Sequence, residues 1–175
     1  QIKQIENLVN EFSDFARMPK PILKKNNLID ILKENIVLLK QLDDKIEIKL
    51  NHNSDNVFFN CDKEQIGRVF LNLIKNSIES IQQKEEIEPK FDKKILIEIS
   101  NINEHIKVVF VDNGIGFNKL KNTKNIKDIL NPYFTTKKNG TGLGLSIVNK
   151  IINDHNGELK FYSISDGAKV EINFK

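Results

Sequence analysis

Val108-Val109-Phe110-Val111-Asp112-Asn113-Gly114-Ile115-Gly116-Phe117 is the stretch on which the reading of this chain turns. Branched and aromatic residues in succession favour an extended strand, and Asp-Asn-Gly ends it in a turn. The strand thus delivers the Asp112 carboxylate to its end, followed by two glycines two apart. A carboxylate placed there can accept a hydrogen bond from an exocyclic amine, and glycines let a flat ring approach the backbone. An ordinary turn after a strand has the same spelling, so the stretch becomes a site only in company.

Working outward, residues 95–100 and 105–111 form a hairpin around 101–104, preceded by a charged loop at 84–94 that contains Pro89. Upstream of the loop, Asp62 caps a long helix to about Gln83, with Glu64 and Gln65 in its first turn. Residues 57–61 (VFFNC) and the strictly alternating 45–50 (KIEIKL) read as strands. Residues 27–42 read as a helix with Leu28, Ile31, Leu32, Ile36 and Leu39 on one face.

Downstream, residues 117–140 are polar and lysine-rich, too long for a plain connection. Within them only Ile129 to Phe134 offers an apolar anchor, which leaves 118–128 expected to be mobile without ligand. A glycine-rich turn then opens a helix over 142–155, with Gly157 as its stop, and residues 158–164 and 168–174 form a last hairpin. Helices alternating with strand pairs predict an α/β fold: a two-layer sandwich of a mixed, largely antiparallel sheet with helices on one face.

The N-terminal residues Ile2, Ile5, Leu8, Val9, Phe12 and Phe15 recur at helical spacing without a start signal, as in a piece of a longer chain. Pro19 and Pro21 end that helix and mark a boundary, giving a helix stub at 1–18 and a domain at 22–175.

Composition excludes several classes. Hydrophobic residues make up 39% of the 175, enough for a core, so the chain is not wholly disordered. No apolar run reaches the ~20 residues needed to span a bilayer, and no leader sequence is visible. The single Cys61 excludes a disulfide framework and a cysteine-rich zinc site, and reads as a small buried hydrophobe. A net charge of +3 with only Arg17 and Arg68 as arginines argues against nucleic acid as a partner.

Two further motifs carry chemistry. Asn72 and Asn76 lie four apart on one helical face and could offer amide oxygens to a hard cation. Gly140-Thr141-Gly142-Leu143-Gly144-Leu145 opens a helix, where backbone N–H groups make an anion site. It is neither a Rossmann fingerprint nor a P-loop. His52, His105 and His155 read as surface histidines.

In order, NLIKNSIES (72–80), DNGIGF (112–117), PYFTTK (132–137) and GTGLG (140–144) resemble the N, G1, F and G2 boxes of the ATP-binding catalytic domain of bacterial sensor histidine kinases. That domain belongs to the GHKL superfamily shared with gyrase-type ATPases. The resemblance covers roughly residues 22–175, and EFSDFARMPKP (11–21) resembles the end of the second dimerisation helix in the NtrY-like branch.

The resemblance implies a Bergerat-type ATP-binding fold, ATP with Mg²⁺, and transfer of the γ-phosphoryl group to a histidine outside this fragment, so autophosphorylation is not expected. It implies that Asp112 binds the adenine amine, with Gly114, Gly116 and Phe117 around the ring. Asn76 would hold Mg²⁺, with Asn72 close by. Thr136, Lys137 and the stretch Gly140, Thr141, Gly142, Leu143, Gly144 and Leu145 would meet the phosphates, with Asn72, Asn76 and Lys137 serving catalysis. Residues 117–140 would be the ATP lid. The implied partners are a response regulator receiver domain and, in the full-length protein, a second copy joined through the dimerisation helices, while the fragment itself can be monomeric. The implied location is a cytoplasmic domain of an inner-membrane protein.

Two departures stand out. Glu79 occupies a position where many members carry Lys or Arg, and Asp166-Gly167-Ala168 replaces a more glycine-rich turn. Gyrase-type hydrolases carry a Glu four residues before the metal-binding Asn. Asn72 stands there instead, and an amide cannot act as a base for water. A nucleotide-gated interaction module is the alternative from outside the enzymes.

Overall fold

The computed structural model describes residues 9, 12, 13, 16–41, 43–103, 105–117, 126–135 and 140–175. Five strands form the main sheet: β2 (Glu47–His52), β4 (Lys94–Ile102), β5 (His105–Asp112), β6 (Glu158–Ser163) and β7 (Ala168–Phe174). Their order is β2-β4-β5-β7-β6. β2 and β4 run parallel and the remaining neighbours antiparallel. The parallel pair arises because β3 (Phe58–Cys61) and α2 (Lys63–Glu85) intervene as a crossover, the connection that parallel strands require. β3 itself pairs outside the sheet with β1 (Lys24–Asn27), a short ribbon that the sequence reading does not anticipate.

Three helices cover one face: α1 (Leu28–Lys40), α2 and α3 (Gly144–Asp154), with α2 packed against both others. α2 starts where expected, because Asp62 Oδ1 accepts the N–H groups of Glu64 and Gln65, each at 3.1 Å. Its buried stripe includes Ile66, Val69, Phe70, Leu73, Ile74 and Ile78. Phe70 meets Phe110 of β5 at 5.9 Å between ring centres, joining the helix layer to the middle of the sheet. Ahead of α1, Gln65 Nε2 donates to Pro19 O at 3.0 Å and Ile22 N donates to Asp62 Oδ2 at 2.9 Å, so α2 also holds the proline stretch.

Three expectations need correction. α3 begins at Gly144 instead of residue 142, since Gly142 has φ +72°, outside the helical region. The left-handed residue after α3 is Asn156 (φ 56°), not Gly157; Gly157 is needed because a Cβ there would lie 2.9 Å from Phe174 and from Ile152. His155 is not a surface residue. It is 3% exposed, with Nδ1 donating to Ile151 O at 2.8 Å and Nε2 accepting from Asp62 N at 3.0 Å, so it joins the end of α3 to the start of α2. Cys61 is buried, as expected.

Along β5 the buried residues Ile106, Val108 and Phe110 alternate, and Asp112 falls in the same phase. Strand registry places it in a row with Ile48, Ile95, Ala168 and Ser163. A carboxylate therefore sits on the helix-covered face of the sheet, at the edge of the core.

Candidate functional site

Asp112 is 6% exposed beneath α2. Ser77 Oγ donates to its Oδ2 at 3.1 Å, and the Gly114 N–H donates to its Oδ1 at 3.0 Å. Burial disfavours the charged form and pushes the carboxyl up to about 6, although hydrogen bonds from Gly114, Ser77, Ser80 and Ala168 oppose the shift. Desolvation outweighs those bonds, so a further donor stabilises the charge, which favours a ligand that brings an N–H.

The turn after Asp112 is pressed against α2. Ile115 N donates to Ser80 O at 3.3 Å, and a Cβ on Gly114 would stand 2.2 Å from Ser80 Oγ. Only glycine permits that approach. Gly114 thus lies behind the site wall and brings Ile115 and Gly116 to its surface. On the other side, a Cβ on Gly167 would lie 1.8 Å from the Asp112 carbonyl oxygen, so the β6–β7 turn closes on the strand end.

Asn72 and Asn76 face the same space from α2. Asn72 Nδ2 donates to Arg68 O at 2.8 Å, which turns its amide oxygen toward the start of α3; a Cβ on Gly144 would stand 3.2 Å from it. Leu143, at the cap position of α3, is apolar and wholly buried and so supplies no cap. The first-turn N–H groups of α3 are available to an anion. The preceding loop is clasped to residues 131–135: Tyr133 N donates to Gly142 O at 3.0 Å. Ile129, in the 3-10 turn Ile126–Leu130, is buried, so the expected anchor of the long loop is present.

These elements surround a cleft of about 510 Å³. Its lining joins Asn72, Asn76, Asp112, Gly116, Phe117, Gly140, Thr141, Gly142, Gly144 and Leu145, ten of the sequence-predicted residues. Gly114 and Leu143 stand behind the wall, the first against Ser80 and the second in the core. Thr136 and Lys137 lie outside the described residues, as do 118–125 of the expected lid. Among the described residues no group of three or more His, Cys, Asp or Glu side chains is placed to hold a metal. A cation here would take amide oxygens and the oxygens of its own ligand.

Sequence reasoning missed Ser77, Ser80, Lys84 and Phe161. Ser77, Ser80 and Lys84 follow at i, i+3 and i+7, the spacing of one helical face, and each meets the Asp112 turn. That spacing was visible, but the face it meets was not. A second cleft, of about 520 Å³ among Lys45, Glu47, Glu85, Phe91, Lys93 and Lys94, shares none of these residues and mixes both charges.

Residues 61–175 match the family described as histidine kinase-, DNA gyrase B-, and HSP90-like ATPase. A putative sensor histidine kinase, NtrY-like, of Rickettsia felis is 36% identical over 171 residues, 97% of this chain. The chain spans about a quarter (27%) of that relative's length. The nucleotide-free catalytic domain of histidine kinase ThkA superposes with a TM-score of 0.73 at 25% identity, covering 87% of this chain and 95% of that one. ThkA in complex with the response regulator protein TrrA gives a TM-score of 0.76 at 22% identity, covering 99% and 47%.

Proposed function

This chain belongs to the histidine kinase-, DNA gyrase B- and HSP90-like ATPase family, and on that premise we propose that it loads ATP for a sensor histidine kinase and presents the γ-phosphoryl group to a histidine outside residues 1–175. One observation carries the reading. A buried carboxylate, two stacked asparagines and an uncapped, glycine-led helix start line one cleft.

In this mechanism Asp112 accepts from the adenine N6 amine, and the Gly114–Gly116 backbone makes room for the ring. The α3 N-terminus and the Gly140–Leu145 backbone hold phosphate oxygens. The resemblance assigns Lys137, outside the described residues, to the phosphates as well. Asn76, with Asn72 beside it, fits Mg²⁺, which takes one or two protein oxygens when it binds with phosphates. When bound, Mg²⁺ neutralises charge on the phosphates. The protein's share of catalysis is placement: it aligns the γ-phosphorus while the incoming imidazole nitrogen forms the N–P bond and the bond to the ADP oxygen breaks.

His155 and His105 do not suit the acceptor role. Both ring nitrogens of buried His155 are engaged. His105 opens β5 while Asp112 ends it, which separates them by roughly 23 Å at strand rise. Onward transfer goes to an aspartate of a response regulator receiver domain, a proposal supported by the ThkA–TrrA complex. We place residues 1–18 at the end of a dimerisation helix, 22–175 as the catalytic domain and 117–140 as its lid, in the cytoplasmic part of a homodimeric kinase anchored in the inner membrane. No helix among the described residues is long and apolar enough to cross a membrane.

The test is calorimetric titration with ATP and GTP in Mg²⁺, followed by phosphotransfer to the parent's histidine-bearing domain supplied separately. ATP is expected to bind the more tightly, because guanine places a carbonyl where Asp112 needs a donor. Equal affinity for the two nucleotides would refute the base assignment. Nucleotide binding without phosphotransfer would favour the interaction module.

A further inference from the structure

We propose that Lys84 is a positioning residue for the base pocket, holding the Asp112–Gly116 turn through the carbonyl of Asn113. The inference rests on the reading of that pocket as the adenine site.

Lys84 stands in the last turn of α2, where a lysine is ordinarily solvated and interacts with the helix dipole. Here its side chain is only 14% exposed. The ammonium donates to Asn113 O at 3.0 Å, pairs with the Asp166 carboxylate, and lies 4.6 Å from the centre of the Phe91 ring. Its three N–H groups thus meet a carbonyl, a carboxylate and an aromatic face, which makes burial of the charge tolerable.

The three contacts belong to separate segments that frame the pocket. Asn113 lies between Asp112 and Gly114, the residue pair whose carboxylate and amide face each other. Asp166 precedes Gly167, which is pressed onto the Asp112 carbonyl. Phe91 belongs to the loop before β4. The side chain of Asn113 is held from the sheet side, donating to Asp92 O at 2.6 Å and accepting from Lys94 N at 2.9 Å. Its carbonyl is held from the helix side by Lys84. With Ser77 on Asp112 and Ser80 on Ile115, one face of α2 grips the turn at three successive points. Ser77 and Ser80 line the cleft and Lys84 does not, so Lys84 acts on the base through the turn.

The experiment compares the wild-type chain with K84M and K84R at a temperature where circular dichroism shows all three folded. ATP and GTP affinities are measured by calorimetry with Mg²⁺, and amide exchange at Gly114 and Ile115 is followed without nucleotide. Methionine keeps the packed stem and removes the donor. K84M is expected to lose about tenfold in ATP affinity with GTP little changed, and to exchange faster at both amides. K84R keeps a cationic donor and is expected to recover part of the ATP preference. A K84M protein with the wild-type ATP:GTP ratio would overturn the proposal, as would an arginine variant as defective as the methionine one. If the wild type shows no ATP preference, the adenine reading fails by itself, and exchange then decides: faster exchange in K84M upholds Lys84 as the clamp of the turn, and unchanged exchange overturns it.

Discussion

Replacing Asp112 by Asn is expected to strengthen the folded chain while destroying the recognition that the residue serves. Burial raises the carboxyl from its ordinary 3.8 to about 6. The folded state therefore holds the proton more tightly than the unfolded state does. The stabilising protonation is fully present below the unfolded value and is lost as pH rises through the folded one. A gap of about two units at ~1.4 kcal/mol each makes the ionised group roughly 3 kcal/mol unfavourable above that range. Asparagine is neutral and can keep the bonds to Gly114 and Ser77. Its oxygen can accept from Gly114 N, and its amide can donate to Ser77 Oγ, which reverses its role. In thermal melts without nucleotide, D112N should gain about 1–3 kcal/mol at pH 8, a rise of roughly 2–12 °C for a chain of this size. The gain should shrink toward zero near pH 4. ATP binding should fall at every pH, because the amide offers a donor to the adenine amine. A D112N protein less stable than wild type at pH 8, or stabilised equally at pH 4 and pH 8, would refute the reasoning.

Three other substitutions separate ligand contacts from fold contacts. Asn76→Ala, at a half-buried position lining the cleft, should weaken ATP much more in Mg²⁺ than in EDTA, with the melting temperature nearly unchanged; a collapse of stability would make Asn76 structural. Gly167→Ala places a Cβ 1.8 Å from the Asp112 carbonyl at φ +106°, so denaturant titration should show a loss of about 2 kcal/mol or more; a neutral result would mean that the turn yields freely. His155→Ala removes the acceptor of Asp62 N and should cost about 1–3 kcal/mol, while the ATP dissociation constant of the folded protein stays the same; a large loss of affinity would tie His155 to the site.

Much of this molecule was legible in one dimension. The stripe Leu28 to Leu39 announced one helix, since burial on one side of a helix repeats every three or four residues, and a second was expected from Asp62 to about Gln83. Asp62 announced its cap, because capping is a bond between neighbours in sequence. The β1–β3 ribbon escaped because Lys24–Asn27 has no apolar alternation. Its extended form comes from pairing with Phe58–Cys61, more than thirty residues away.

The sequence by itself determined which groups the site would contain: the carboxylate of Asp112 at a strand end, the amides of Asn72 and Asn76 on one helical face, and the glycines of 140–144 at a helix start. Each follows from periodicity or local turn chemistry, which act over a few residues. Only the tertiary structure decided what those groups are worth. That Asp112 is buried, and so titrates near 6, depends on α2 lying over its end of the sheet. That Ser77, Ser80 and Lys84 grip its turn depends on the same packing. That His155 is a core tie depends on where α3 ends beside Asp62. Burial and long-range hydrogen bonding are set by segments distant in sequence, and no local pattern encodes which face meets which.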